Sequence, residues 1–256
     1  MSFTVIIPAR YDSSRLPGKP LLQIAGITMI QRVHIQAQKS NADRIIVATD
    51  NQEIFDEVIN FGGQACMTST DHQSGTDRLQ EVAKQLELPP EHVVVNVQGD
   101  EPLIPPEVIN QVADNLLARN SVGVATLAEP IMSSDDFNNP NVVKVIVDNA
   151  GLALLFSRTP IPCSREDESS KIAGYQYGMR HIGIYAYRTS MLDKFISWPL
   201  APIEKLEQLE QLRFMWFGES IHVDKAVISV PKGVDTEQDF KDVIKFLKNN
   251  TYVIII

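Results

Sequence analysis

From Val5 to Lys19 the chain reads V-I-I-P-A-R-Y-D-S-S-R-L-P-G-K, placing Arg10, Arg15 and Lys19 within ten residues, directly after an apolar run. Two guanidiniums offer planar forks of donors and an ammonium offers a compact point charge, a combination that grips phosphate oxygens. The net charge is -9, from 32 acidic and 23 basic residues, so this basic loop runs against the sign of the whole chain. A triphosphate is the anion it fits best. The plain alternative is a solvated basic turn, but three cations after the first strand of an α/β sheet lie where such folds bind ligands. Two common phosphate loops are excluded: the segment lacks G-x-G-x-x-G, and Gly18-Lys19 is followed by Pro20 rather than Ser or Thr.

A triphosphate needs a counter-cation, and Mg²⁺ is commonly held by one or two carboxylates together with substrate phosphates. The run Val93-Val-Val-Asn-Val-Gln-Gly-Asp-Glu-Pro102 takes an apolar strand straight into Asp100 and Glu101. Asp100 is therefore a metal candidate, although an acidic turn after a strand is often only a turn. Pro231-Lys-Gly-Val-Asp-Thr-Glu-Gln-Asp239 is a second strand end, leading into a helix start. There Thr236 and Asp239 suffice as a cap, so Asp235 taken alone reads as part of a helix start, while together with Asp100 it would complete a two-carboxylate metal site.

These residues need elements to carry them. Short β-branched runs at 3–7, 44–48 and 93–97 alternate with helical faces (Ile54, Phe55, Val58, Ile59, then Leu79, Val82, Ala83, Leu86 behind a Ser74…Asp77 start signal). Pro105 and Pro106 open another helix carrying Val108, Ile109, Val112 and Leu116. This half reads as a doubly wound α/β unit with a parallel sheet. After residue 122, strand-like segments at 123–128, 142–147, 152–157 and 180–187 predict antiparallel additions, and the polar stretch Cys163 to Lys171 reads as a loop. A helix is expected over 202–217, a strand over 221–230 and a last helix from Thr236. With no low-complexity linker, one domain is expected over 1–250, followed by an apolar tail at 251–256.

Composition narrows the class. An apolar content of 44% and a charged content of 21% suit a globular enzyme, and a pI near 5.1 gives no electrostatic case for nucleic acid. No apolar run approaches the roughly 20 residues of a membrane span, and the N-terminus enters a strand without a signal sequence. Cys66 and Cys163, far apart and without a metal-ligand pattern, fit a reduced cytoplasmic setting.

Taken in order, I-P-A-R-Y…S-R-L-P-G-K-P-L at 7–21, A-D-R-I-I-V-A-T-D at 42–50, D-H-Q-S-G-T at 71–76, V-N-V-Q-G-D-E-P at 95–102, R-H-I-G-I-Y at 180–185, L-E-Q-L-R at 209–213 and G-V-D-T at 233–236 resemble the cytidylyltransferases that activate sugar acids. Q-G-D-E-P and D-H-Q-S-G-T point to those acting on KDO (3-deoxy-manno-octulosonate) rather than on sialic acids. The resemblance implies a Rossmann-like, mixed but mainly parallel sheet of the nucleotide-diphospho-sugar transferase type, with an antiparallel extension at 123–190 that forms a homodimer. It implies that Arg10, Arg15 and Lys19 contact the CTP phosphates, that Ala9 backbone, Ser74, Gly75 and Gln98 read cytosine and ribose, and that Asp100 and Asp235 hold Mg²⁺. For the sugar acid it implies Arg158, His181, Tyr185, Glu210 and Gln211. The implied reaction is CMP transfer from CTP to KDO for lipopolysaccharide synthesis, with catalysis resting on Arg15, Lys19, Asp100 and Asp235. Read from the residues alone, each has a plainer alternative. His181 and Tyr185, four apart on a strand, share a face and could simply be packed core, while Glu210 and Gln211 sit on a Leu-rich helix whose polar side is usually solvated. Arg158 is the more suggestive, since a buried guanidinium wants a carboxylate. A cytidylyltransferase for another sugar acid and a non-catalytic nucleotide-binding protein are the rival readings.

Overall fold

The computed structural model describes residues 2–11, 16–72, 74–163 and 177–251. Arg15, the stretch 164–176 and the tail residues 252–256 lie outside this description. Strand β1 (Phe3–Ala9) is buried on both faces. Phe3, Val5 and Ile7 enter one apolar cluster and Ile6 the other, as expected of a strand covered by helices on each side. Beside it run β4 (Arg44–Thr49), β5 (Gln64–Met67) and β6 (Val93–Asn96), all parallel. The short β2 (Gln23–Ile24) and β3 (Ile27–Thr28) form a separate hairpin.

The helices of this half obey local rules. In α1 (Met29–Gln38), buried Met29, Ile30, Val33, His34 and Ala37 recur at helical spacing, and Thr28 caps its start by accepting from Gln31 N–H. Helix α2 (Gln52–Asn60) is capped by Asn51, and α3 (Gly75–Gln85) by the Ser74–Asp77 capping box expected from sequence. Pro106 opens α4 (Pro106–Leu117).

The second half completes the sheet. Strand β7 (Val124–Pro130) and β11 (Ile221–Lys225) pair in parallel, whereas β10 (Met179–Arg188) runs antiparallel to both β6 and β7. Among the described residues the order is β11-β7-β10-β6-β1-β4-β5, with β8 (Lys144–Val147) pairing β10 and β9 (Ala153–Ser157) pairing β8. Because β10 is reversed, its first residues reach the rim where β1, β6 and β7 end. The remaining helices are α5 (Ser134–Asn138), α6 (Thr189–Ser197), α7 (Pro202–Glu207), α8 (Gln211–Trp216) and α9 (Glu237–Thr251).

Three expectations need correction. Helices α1 and α6 and strand β5 are additional elements, and β11 ends at Lys225 instead of running to 230. The helix expected over 202–217 breaks at Gln208, which adopts a left-handed conformation (φ 52°). Tertiary contacts account for the break. Arg158 Nε donates to Glu207 O (2.7 Å), and the Glu207 carboxylate accepts from Ser157 Oγ (2.9 Å) and Arg158 N–H (3.0 Å). These bonds hold the end of α7 in place, and the chain turns before α8.

The two short helices are locked together by a buried ion pair. Arg213 donates in a fork to Glu204 (Nε 2.8 Å, Nη2 2.5 Å), and the same carboxylate accepts from Ala201 N–H (3.0 Å). The Arg213 guanidinium also lies 3.9 Å from the Phe195 ring centre. Removing one partner strands a charge in the interior, so Arg213→Met is expected to cost on the order of 3–5 kcal/mol in urea unfolding. The double variant Glu204→Leu/Arg213→Met should be destabilised less than the single one; an equal or larger loss would show that the pair is not the principal link.

Candidate active site

At the rim the basic loop and the two acidic turns meet. Gly18 takes a left-handed conformation (φ 65°) and donates its N–H to Tyr11 O, while Lys19 N–H donates to Leu16 O, closing the L-P-G-K turn that launches Lys19 into a 3₁₀ turn. Lys19 Nζ then donates to Asp100 Oδ2 (2.6 Å), Val234 O (2.9 Å) and Asp235 Oδ1 (3.4 Å). Val234 N–H donates to Asp100 O (2.8 Å), stitching the two acidic turns together. Thr236 and Asp239 cap α9 as expected, with Asp239 also accepting from Asp235 N–H. Asp100 and Asp235, 135 positions apart in sequence, therefore converge on one cation. Behind them, Gly99 packs so tightly that a β-carbon there would come within 2.8 Å of Pro8 O.

A cleft of about 570 Å³ opens beside this cluster, lined by Asp100, Glu101, Arg158, Arg180, His181, Lys232 and Asp235 among others. Glu101 buries a carboxyl oxygen that has no partner, and burial, with Asp100 adding to it and Arg180 opposing, pushes its pKa up to about 8. Arg180 pairs with Glu129 (2.6 Å) and donates to Val230 O (2.8 Å). Arg158 lines the same cleft, but its donors go to the carbonyls of Glu207, Pro140 and Gln208. Three backbone carbonyls, not a carboxylate, take up its side-chain donors.

A second cavity of about 380 Å³ adjoins the first, sharing His181 and Gly183 with it, and is lined by Pro8, Arg10, Gly75, Thr76, Asn96, Gln98, Tyr185, Glu210 and Gln211 among others. It gathers expected nucleotide contacts (Arg10, Gly75, Gln98) and expected sugar-acid contacts (His181, Tyr185, Glu210, Gln211) around one space. Ala9 is buried at the end of β1, and the Ser74 hydroxyl is committed to the α3 cap.

His181 and Tyr185 do share a face, but by an irregular route. Four residues of regular strand would separate them by about 13 Å. A bulge brings Ile182 opposite Leu127 and Tyr185 opposite Thr126, and the two ring centres lie 5.2 Å apart. Thr126 Oγ1 is 2.7 Å from Ile184 O and 3.1 Å from His181 Nε2. A hydroxyl has one proton; given to Ile184 O, it leaves a lone pair for Nε2–H and makes Nδ1 the acceptor of a neutral imidazole. Burial, aided by Arg180, pushes the His181 pKa down to about 3. Glu210 is exposed along its stem, but its carboxyl head turns inward to accept from Thr76 Oγ1 (2.9 Å), and burial of that head raises its pKa. Gln211 is buried rather than solvated.

Sequence reasoning passed over Asn96, Thr76, Glu101 and Arg180. Asn96 did carry a signal, as the one polar residue in the run Val93 to Val97. A third cavity, lined by Arg10, Tyr11, Asp50, His72 and Arg78, lies on the other side of Arg10. There the buried Arg78 pairs with Asp50 and donates to Thr68, while His72 pairs with Glu81 (2.5 Å), bracing the segment that leads into Ser74.

The depressed His181 pKa has a sign that can be checked. The folded chain keeps this ring neutral while the unfolded chain protonates it near pH 6.5, so its contribution to stability is intact above that pH and lost as pH falls toward 3. His181→Gln is expected to flatten the wild-type loss of stability over this interval in denaturant titrations at stepped pH. Parallel curves for the two proteins would refute the buried neutral ring.

With this geometry in place, known proteins give an independent measure. The sequence profile of the family described as cytidylyltransferase matches residues 4–221. The 3-deoxy-manno-octulosonate cytidylyltransferase of Idiomarina loihiensis is 55% identical over 245 residues, covering 94% of this chain and 96% of that one. The enzyme of the same name from Saccharophagus degradans is 52% identical over 255 residues, covering 98% and 100%. The solved structure of CMP:2-keto-3-deoxy-manno-octonic acid synthetase complexed with CTP matches with a TM-score of 0.90 at 39% identity, over 98% of this chain and 100% of that one. A 4-diphosphocytidyl-2C-methyl-D-erythritol synthase from Anaerococcus prevotii, 15% identical with a TM-score of 0.61, shares the fold. The chain therefore belongs to the cytidylyltransferase family, and within it to the 3-deoxy-manno-octulosonate cytidylyltransferases.

Proposed function

We propose that the chain transfers CMP from CTP to the anomeric 2-hydroxyl of KDO, releasing pyrophosphate and activating KDO for lipopolysaccharide synthesis. The observation that carries the reading is the convergence of Lys19, Asp100 and Asp235 on one rim, beside two adjoining cavities lined by residues expected to contact the two substrates. The sugar oxygen forms a bond to the α-phosphorus as the bond from that phosphorus to the bridging α–β oxygen breaks, and the electron pair leaves with pyrophosphate. Displacement at phosphorus asks mainly for in-line positioning and charge neutralisation. Arg10 and Lys19 supply charge from this chain, with Arg15 proposed alongside them.

Asp100 and Asp235 fit a divalent cation, because both carboxylates already face a single positive charge at Lys19 Nζ. When bound, Mg²⁺ would neutralise the triphosphate and acidify the attacking hydroxyl. Glu101, kept protonated up to about pH 8, adds no second full charge beside Asp100 at neutral pH. His181, neutral in this range, adds no cation to the cleft. We assign Gly75 and Gln98, with the Ala9 backbone and Ser74, to the nucleoside, and Arg158, His181, Tyr185, Glu210 and Gln211 to the sugar acid. Arg158 contributes by fixing the turn from which Glu210 and Gln211 project.

Among the described residues no helix is long and apolar enough to cross a membrane. We assign the enzyme to the cytoplasm, where CTP is made, as a single domain over 1–250. A homodimer through the antiparallel part is favoured by Leu154 and Leu155 of β9, which are 59% and 42% exposed. Sedimentation at micromolar concentration should give twice the monomer mass, and Leu154→Asp should shift it toward monomer; a wild-type monomer would discard the dimer.

The reaction is tested by pyrophosphate release across CTP, UTP and GTP with KDO and sialic acid. CTP with KDO should exceed every other pair by at least about a hundredfold. Asp100→Ala should fall to a few per cent of wild type or less at saturating Mg²⁺ with an unchanged melting temperature. Equal turnover of sialic acid, or a fully active Asp100→Ala, would overturn the assignment.

A further inference from the structure

Asn96 ends β6, between Ile6 of β1 and Tyr185 of β10, and is 3% exposed. Its carboxamide oxygen is buried without a hydrogen-bond partner, although the residue lines the smaller cavity. A buried acceptor left unpaired is unfavourable, and a fully apolar strand could have carried another Val in its place. Two further residues that line the same cavity bury a polar atom without a geometric hydrogen-bond partner: Gln211 its Nε2, and Tyr185 its Oη, which lies near Thr126. Three of the seven such atoms among the described residues thus belong to residues from three separate elements that line one cavity.

Their chemistry is specific. Asn96 presents an acceptor, Gln211 a donor and Tyr185 a group that can do either. Sugar hydroxyls, each able to donate once and accept, are complementary to that set. A carboxylate only accepts, and it would face the Asn96 oxygen without a proton to share. The larger cleft carries Arg158, Arg180 and Lys232 together with the carboxyl groups of Asp100, Glu101, Asp235 and Asp239, where a carboxylate can share a bound cation.

Building on the KDO reading above, we propose that Asn96 is a specificity-determining residue that accepts a hydrogen bond from a hydroxyl of the sugar acid. The neutral polyol end of the substrate occupies the pocket of Asn96, Tyr185 and Gln211, and its acidic end faces the larger cleft.

The test is steady-state kinetics with CTP, KDO and mono-deoxy KDO analogues, on wild type, Asn96→Leu and Asn96→Thr. Asn96→Leu should raise KM for KDO at least tenfold while leaving KM for CTP within twofold, and Asn96→Thr, which restores an acceptor, should recover most of the loss. Wild type should discriminate at least tenfold against one analogue, and Asn96→Leu should no longer do so. A rise in KM for CTP instead would place the nucleoside at Asn96 and overturn the proposal, as would unchanged KDO kinetics, which would leave the orphaned oxygen to water. If neither variant folds, the wild-type series still decides: no analogue losing more than threefold would sink the idea. Wild type inactive with CTP and KDO would instead sink the functional reading itself.

Discussion

One ammonium group organises the rim. Lys19 Nζ is held by Asp100, Asp235 and the Val234 carbonyl, and so ties together three segments that are remote in sequence. Two carboxylates brought this close would repel one another without a cation between them. The arrangement is therefore stable only with positive charge at that point, from the lysine in the free chain or from an ion carried in with a triphosphate. The same electrostatic demand that shapes the loop creates the place for a metal-bound polyanion.

The sheet delivers the rest of the site by reversing one strand. Parallel β1, β6 and β7 bring their ends to one edge, and the reversed β10 brings its beginning there, with Arg180 and His181. The bulge between Ile182 and Tyr185 then compresses the chain so that His181 and Tyr185 become ring neighbours. A stack runs on from Tyr185 to Tyr187 and Phe214, joining the cavity wall to the core beneath α8. The break at Gln208 does the equivalent work for the opposite wall, since a continuous helix would carry Gln211 along its solvated side.

What could be read beforehand divides along the range of the forces involved. The parallel half was legible because alternation, helical periodicity and caps such as Ser74–Asp77 and Thr236–Asp239 are decided by neighbours a few residues apart. Lys19, Asp100 and Asp235 were legible as charged residues at strand ends. The inward turn of Gln211, the carbonyls that occupy Arg158 and the depressed pKa of His181 were not, because each depends on atoms brought together by tertiary packing. The helix over 202–217 was misjudged for that reason: its leucine spacing favoured continuity, and contacts from β9 and Arg158 overrode it.

The contact between Gly99 and the Pro8 carbonyl carries one more implication. With no room for even a methyl group between them, the end of β1 and the loop after β6 are packed in direct contact and form one rigid jaw. The 230–235 segment is stitched to that jaw by Val234 N–H on Asp100 O, so widening of the mouth to admit substrate falls to the facing side, the 207–211 turn held by hydrogen bonds from Ser157 and Arg158. Directed evolution toward bulkier sugars would gain ground by loosening that facing side, with position 99 kept invariant in the library.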